Sequence, residues 1–247
     1  GIHLNWPSYS KEYATQQSAI IDFFELAAAY ASNRKNQNTD QRMEAMVPCF
    51  NSQKRVYIHA QTVRQINDVI SFKEKLGLKH VVIVGGEEAY LVGPKLKDSK
   101  IPVMLGRVHS LPAHEDDLTF LPYQIPALLK AQGIMFCLQN EGDMQPMNTR
   151  NLPFQAGTTM AYGLSEEEAL QSISLSVCQI MGIDKLYGSL EAGKKATFFV
   201  SKGPALDMRT NQLTQIYVDG IPISTTNFQE ELYLKYQQKY RSQAKTN

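Results

Sequence analysis

The chain of 247 residues has no excess of charge of either sign: 25 Lys and Arg stand against 24 Asp and Glu. Proteins that hold nucleic acid or an anionic membrane by Coulomb attraction display a basic surplus, and none is present, so neither is expected as a partner. Long apolar runs are missing as well. No stretch approaches the ~18 apolar residues that span a bilayer. The opening Gly1-Ile2-His3-Leu4-Asn5-Trp6-Pro7 lacks the basic-then-apolar plan of a secretory signal. Cysteine is scarce, with three in all. Cys137 and Cys178 sit in apolar periodic runs and Cys49 follows a helical pattern, which predicts buried free thiols rather than a disulfide framework. That leaves the compartment open. No nucleophile elbow, phosphate-binding P-loop or paired-cysteine zinc site occurs.

What is present is a change of period along the chain. From Lys11 to about Lys35 apolar residues return at three- and four-residue spacings (Ile20, Phe23, Phe24, Ala27, Tyr30), which predicts a helix. A short helix is predicted from Thr39 to Val47, stopped by Pro48. Four strand–helix units follow. The strands are Arg55–Ala60, Lys79–Val84, Ile101–Leu105 and Ile134–Leu138. The helices are Thr62–Leu76 (ended by Gly77), Glu87–Val92, Tyr123–Gln132 and Phe154–Tyr162. Near-continuous apolar strands alternating with helices imply a parallel sheet covered on both faces, as a half barrel or an open doubly wound sheet. Ser165 and Glu168 form a capping box that opens a helix to Met181, ended by Gly182, whose face of Ala169, Ile173, Val177 and Ile180 reads as core.

The segment Leu186-Tyr187-Gly188-Ser189-Leu190-Glu191-Ala192-Gly193-Lys194-Lys195-Ala196 is a turn and a tight corner, leading into a strand over Thr197–Val200. A second strand, Leu213–Val218, closes on Asp219-Gly220, a hairpin signal. Helix, G-S-L-E-x-G-K-x-A corner, strand and V-D-G together resemble the C-terminal signature of the amidohydrolase superfamily, in particular imidazolonepropionase-like metal-dependent members. The resemblance extends less strictly back to about Arg42. It implies an α/β fold: half of a TIM-type (β/α)8 barrel, here the fifth to eighth strands, with a small returning β unit and a terminal helix. The expected division is 1–182 for the partial barrel, 183–224 for the β unit and 225–247 for the helix. Phe228, Leu232, Tyr236 and Tyr240 recur every four residues on that last helix and predict docking on the parent domain. The family's His-x-His pair on an earlier strand is absent, so the chain reads as a C-terminal fragment.

Ligands of parallel sheets bind at the carboxyl ends of the strands. Three of the five histidines fall on that rim: His59, His109 and His114. Gly85-Gly86-Glu87, Arg107, the run Gln139 to Asp143, and Arg150 join them. His59 ends an apolar strand ahead of a small alanine. By resemblance it is a metal ligand suited to zinc or another divalent ion; its pattern alone favours a hydrogen-bonded strand-end histidine instead. The family's next strand ends in a second metal-binding histidine, where this chain has glycine. The family's last strand ends in a catalytic aspartate, where this chain has Asn140, an amide that cannot act as general base near neutrality. His109 and Glu141 are the residues that would complete a remodelled metal set with His59. Arg107 and Arg150 suit a carboxylate or phosphate.

Two functions follow. The first is a hydrolase of C–N bonds in a small amide or cyclic substrate, with a metal held mainly outside these residues and the isolated chain inactive. The second is a non-catalytic relative that binds a small anionic ligand through Arg107, His109, Asn140, Glu141 and Arg150, or pairs with an active relative or with itself.

Overall fold

The computed structural model describes residues 1–34, 38–141 and 144–244. Its larger sheet contains β1 (Ile2–Asn5), β2 (Val56–Ala60), β3 (Val81–Gly85), β4 (Val103–Leu105) and β5 (Phe136–Leu138). All are parallel, in the order 1-2-3-4-5. A doubly wound sheet reverses its strand order at a switch point. This one never reverses, so each crossover steps one strand in the same direction, as in a TIM-type barrel. The half-barrel alternative is the one the chain adopts.

β1 is an addition to the four strands expected. Its four residues are too short for periodicity to single out, and only the pairing of Ile2 to Asn5 with Val56 to His59 defines it. Helices α1 (Tyr13–Asn33), α2 (Gln41–Phe50), α3 (Val63–Leu76), α4 (Gly93–Asp98) and α5 (Leu121–Ala131) connect the strands. α2 does not stop at Pro48. Cys49 is buried and Phe50 packs on the core, and Pro48 O accepts from Gln53 N and Lys54 N at 2.9 and 2.8 Å, so the last turn is held despite the missing donor. The helix expected over Glu87–Val92 is a 3-10 turn at Ala89–Val92, and α4 follows it with Pro94 in its first turn. α3 keeps the expected limits, with a Thr62–Gln65 capping box and left-handed Gly77 at its end.

Strand side chains alternate between the two faces. Ile58, Ile83, Val103, Leu105 and Leu138 face the helices and meet Phe24, Ile66, Phe72 and Leu129 in the main core. Tyr57, Val82, Val84 and Cys137 face the other way and form a second cluster with Ile180, against which Met104 and Val177 pack. The chain from β5 onward supplies that cover through α6 (Gln145–Asn148), α7 (Leu152–Met160), α8 (Glu166–Ser172) and α9 (Leu175–Met181). The single helix expected from Ser165 to Met181 is broken between α8 and α9. Ser172 Oγ and Ser174 Oγ donate to the carbonyls of Ala169 and Leu170, both at 2.7 Å, and compete with the backbone ladder. The capping box itself forms as read, with Ser165 and Glu168.

The second sheet is antiparallel: β6 (Phe198–Ser201), β7 (Leu213–Val218) and β8 (Ile221–Ile223). Asp219 and Gly220, at φ of 51° and 83°, make the two-residue turn that the sequence announces. Both faces of this sheet stay open, since Phe199, Val200, Ile221 and Ile223 are all exposed. The last helix, α10 (Phe228–Ala244), does not dock as expected: Phe228, Tyr236 and Tyr240 are 67%, 48% and 61% exposed. A four-residue spacing overshoots the helical turn by about 40° each time, so four such residues spread over about 120° instead of forming one seam. Among the described residues no helix is long and apolar enough to cross a membrane.

A buried polar chain pins β1 to the helix layer. Trp6 Nε1 donates to Tyr13 Oη at 3.1 Å, and Tyr13 Oη donates to Asp68 on α3. Tyr13→Phe leaves Trp6 Nε1 without an acceptor, and about 1–3 kcal/mol of stability should be lost in urea melts. A wild-type midpoint would show that water replaces the hydroxyl.

Candidate functional site

The inner face of the sheet is built in layers set by strand register. Asn5 pairs with His59, His59 with Val84, Val84 with Met104, and Met104 with Cys137. These five side chains therefore lie at one level on the inward face. His59 has one polar neighbour strand, β1, and three apolar positions on β3 to β5. Burial of Cys137 pushes its thiol up to about 12, so it is a protonated, hydrophobic neighbour and not a thiolate.

His59 is engaged. His3, one layer down on β1, places Nδ1 3.2 Å from His59 Nε2, so one hydrogen is shared between the two rings. His3 also stacks on Tyr57 at 4.9 Å between ring centroids. Burial first, then the nearby His59 and the terminal amine, holds the pKa of His3 below the usual imidazole value. Sequence reasoning missed His3, because the strand that carries it was not recognised.

Beyond that level the strand ends carry glycine and amides. At Gly85, φ is +96° and an added Cβ would lie 2.1 Å from the Gln61 amide, so the Gln61 side chain fills the space where a larger residue would project. At Gly106 an added Cβ would lie 2.5 Å from Glu141 Oε1, so the Glu141 carboxylate rests on the glycine backbone. Gln139 Nε2 donates to Glu141 Oε2 at 3.1 Å. Glu87 lies close enough to feel that charge: burial, then Glu141, then Glu88, raises its carboxyl above the usual range.

The other residues expected at the site are distributed elsewhere. His109 Nε2 is 2.7 Å from Thr158 Oγ1, whose own hydrogen goes to Phe154 O at 3.0 Å. His109 must therefore donate from Nε2, and burial lowers its pKa, which favours the neutral ring. It opens toward a groove between α7 and the 203–208 loop, lined by Phe154, Leu206 and Asp207. Asn140 is structural: its Nδ2 donates to Asn148 O at 3.1 Å and its Oδ1 accepts from buried Gln155 at 2.8 Å. Arg107 and Arg150 are exposed. Asp143 lies outside the described residues. The candidate residues thus fall into separate places and not one constellation.

No family profile and no curated protein sequence matches the chain. Solved structures do. An amidohydrolase from Thermotoga maritima MSB8 matches with a TM-score of 0.77 and 24% identity, over 91% of this chain and 62% of its own. The fold is part of a TIM-type barrel, like the stretch of that neighbour it overlays. A molinate hydrolase matches at TM-score 0.54 and 12% identity, over 75% of this chain and 46% of its own. A zinc-bound adenosine deaminase from Xanthomonas campestris matches at 0.50 and 14%, over 99% of this chain and 66% of its own. The chain therefore spans less than two thirds of each of these neighbours.

Amidohydrolase barrels of the resembling kind imply a divalent metal, and the donors on these strands do not fit one. Such a centre needs about three protein ligands at one level plus an open position. Here His59 Nε2 is bonded to His3, and Val84, Met104 and protonated Cys137 occupy the neighbouring positions. Among the described residues no three His, Cys, Asp or Glu side chains gather to hold a metal, and His59, His109 and Glu141 form no set.

One ionisable latch stands beside the site. His114 Nε2 meets Glu88 Oε1 at 2.9 Å, while Glu88 Oε2 accepts from Val63 N at the start of α3, 2.6 Å away. The Glu88 hydrogen bond, helped by Asp117 and Asp116, raises the His114 pKa. A raised pKa in the folded state means that the latch contributes fully below pH ~6.5 and is lost as pH rises through the raised value. In an NMR titration His114 should protonate above 6.5, and Glu88→Gln should lower its midpoint toward the ordinary value; an unchanged midpoint in the variant would dissociate the latch from Glu88.

Proposed function

We propose that these residues are the later part of an amidohydrolase-type hydrolase acting on a C–N bond of a small amide or cyclic substrate. The reading rests on one observation: on a scaffold that matches an amidohydrolase over 91% of the chain, β2 presents His59 on the inward face near its carboxyl end. The imidazolonepropionase-like likeness of the C-terminal corner supports the same class. The remaining metal donors on this reading come from polypeptide outside these residues, and the 247 residues alone are inactive. A second reading is favoured by Val84, Met104 and Cys137 around His59 and by the structural amide of Asn140. On that reading the scaffold persists without chemistry and binds a small ligand or an active relative.

Elemental analysis of the full-length gene product separates the two. The hydrolase reading expects about one equivalent of zinc or a similar metal per chain, lost in His59→Ala together with activity on small amides. Metal-free protein after purification with zinc supplied sinks that reading and leaves the non-catalytic one.

A further inference from the structure

The outer face of the sheet carries a cavity separate from His59. It measures about 90 Å³ and lies beneath the segment that joins β4 to α5. Its wall is apolar, with Leu105 of β4, Val108 of the connecting segment, and Leu121 and Ile125 of α5. Leu105 belongs to the helix-facing core, whereas its neighbour Met104 packs with the inward cluster around Val84. The cavity and His59 are therefore on opposite faces. At its lip Leu111 is 90% exposed, in keeping with an apolar surface that is left uncovered.

Two charged side chains of opposite sign line this space, Glu87 and Arg107. They leave adjacent strands at the same level, each two residues past the paired Gly85 and Leu105. Neither makes an ion pair with the other or with any other described residue. Glu87 engages only its backbone N–H, on Gln61 Oε1 at 3.4 Å. The adjacent Glu88 differs, since both of its oxygens are taken by Val63 N and His114. An apolar pocket flanked by a free carboxylate and a free guanidinium is complementary to a ligand that carries an ammonium, a carboxylate and a small hydrocarbon group.

We propose that this cavity binds a free α-amino acid with a short apolar side chain, its ammonium on Glu87 and its carboxylate on Arg107. Volume sets the side chain. A cavity of about 150 Å³ accepts benzene, so about 90 Å³ takes a group of roughly three or four carbons and excludes a phenyl ring. Glu87, Glu88 and Asp117 outnumber Arg107 and the titrating His114, which places the cationic head at the Glu87 side. The proposal does not depend on the metal reading, because neither His59 nor the side chains level with it, Asn5, Val84, Met104 and Cys137, line the cavity.

The test is methyl NMR of the full chain titrated with L-valine, isobutylamine, isovalerate and L-phenylalanine. L-Valine should shift the methyls of Leu105, Val108 and Ile125 to saturation. The two analogues that lack one head group, and L-phenylalanine, should bind at least about tenfold more weakly. Glu87→Gln and Arg107→Gln, both surface changes, should each weaken L-valine by a similar factor. No saturable shift with L-valine overturns the proposal. So does an analogue with one head group that binds as tightly, or either variant that binds L-valine unchanged.

Discussion

Register between parallel strands is the constraint on which the rest of this molecule depends. Because side chains alternate strictly along a strand, pairing His59 with Asn5 on one side and Val84 on the other decides at once what every strand presents at that level. The same pairing sends Ile58, Ile83, Val103 and Leu138 outward to the helices, where they make most of the core. A shift by one residue would bury His59 among the helices and expose Ile58. The apolar content of β2 and β3 makes that slip costly, and so fixes the inner face.

The inner face then explains the site as it stands. His59 is held by His3, the space of a larger side chain at Gly85 is filled by Gln61, and Glu141 lies on Gly106. His3 and His59 satisfy each other across neighbouring strands, and Gln139 donates to Glu141 in the loop that follows it. Ile180 and Val177 of α9 close the inward face lower down. The small sheet contrasts with this. Apolar residues on both of its faces are exposed, and α10 leaves its aromatic residues in solvent. The packing of the larger sheet is self-contained in a way that the packing of the smaller one is not.

Much of the fold was legible because strong local signals agree with tertiary structure. β2 and β3 are apolar runs bounded by turn residues, α3 has both of its caps in the sequence, and Asp219-Gly220 allows only a tight hairpin. The failures are local signals that tertiary contacts overrule. Pro48 reads as a stop, but burial of Cys49 carries the helix past it. β1 is too short to read and exists through its pairing alone. The break before α9 comes from serine hydroxyls that periodicity ignores. For the site, residue types at strand ends were readable and their partners were not. Nothing in the sequence joins His59 to His3, Asn140 to Gln155, or His109 to Thr158, since the first pair depends on the pairing of β1 with β2 and the other two on how α7 packs against the ends of β5 and β4.

The central claim is that β3, β4 and β5 offer His59 no metal-binding partner. Anomalous diffraction at the zinc edge, from crystals of this chain soaked in zinc, tests it most directly. The account predicts no zinc peak bonded jointly to His59 and to a side chain of those three strands or the loops that follow them. A peak at roughly 2.0–2.1 Å from a His59 ring nitrogen, shared with Glu141 or His109, would contradict it.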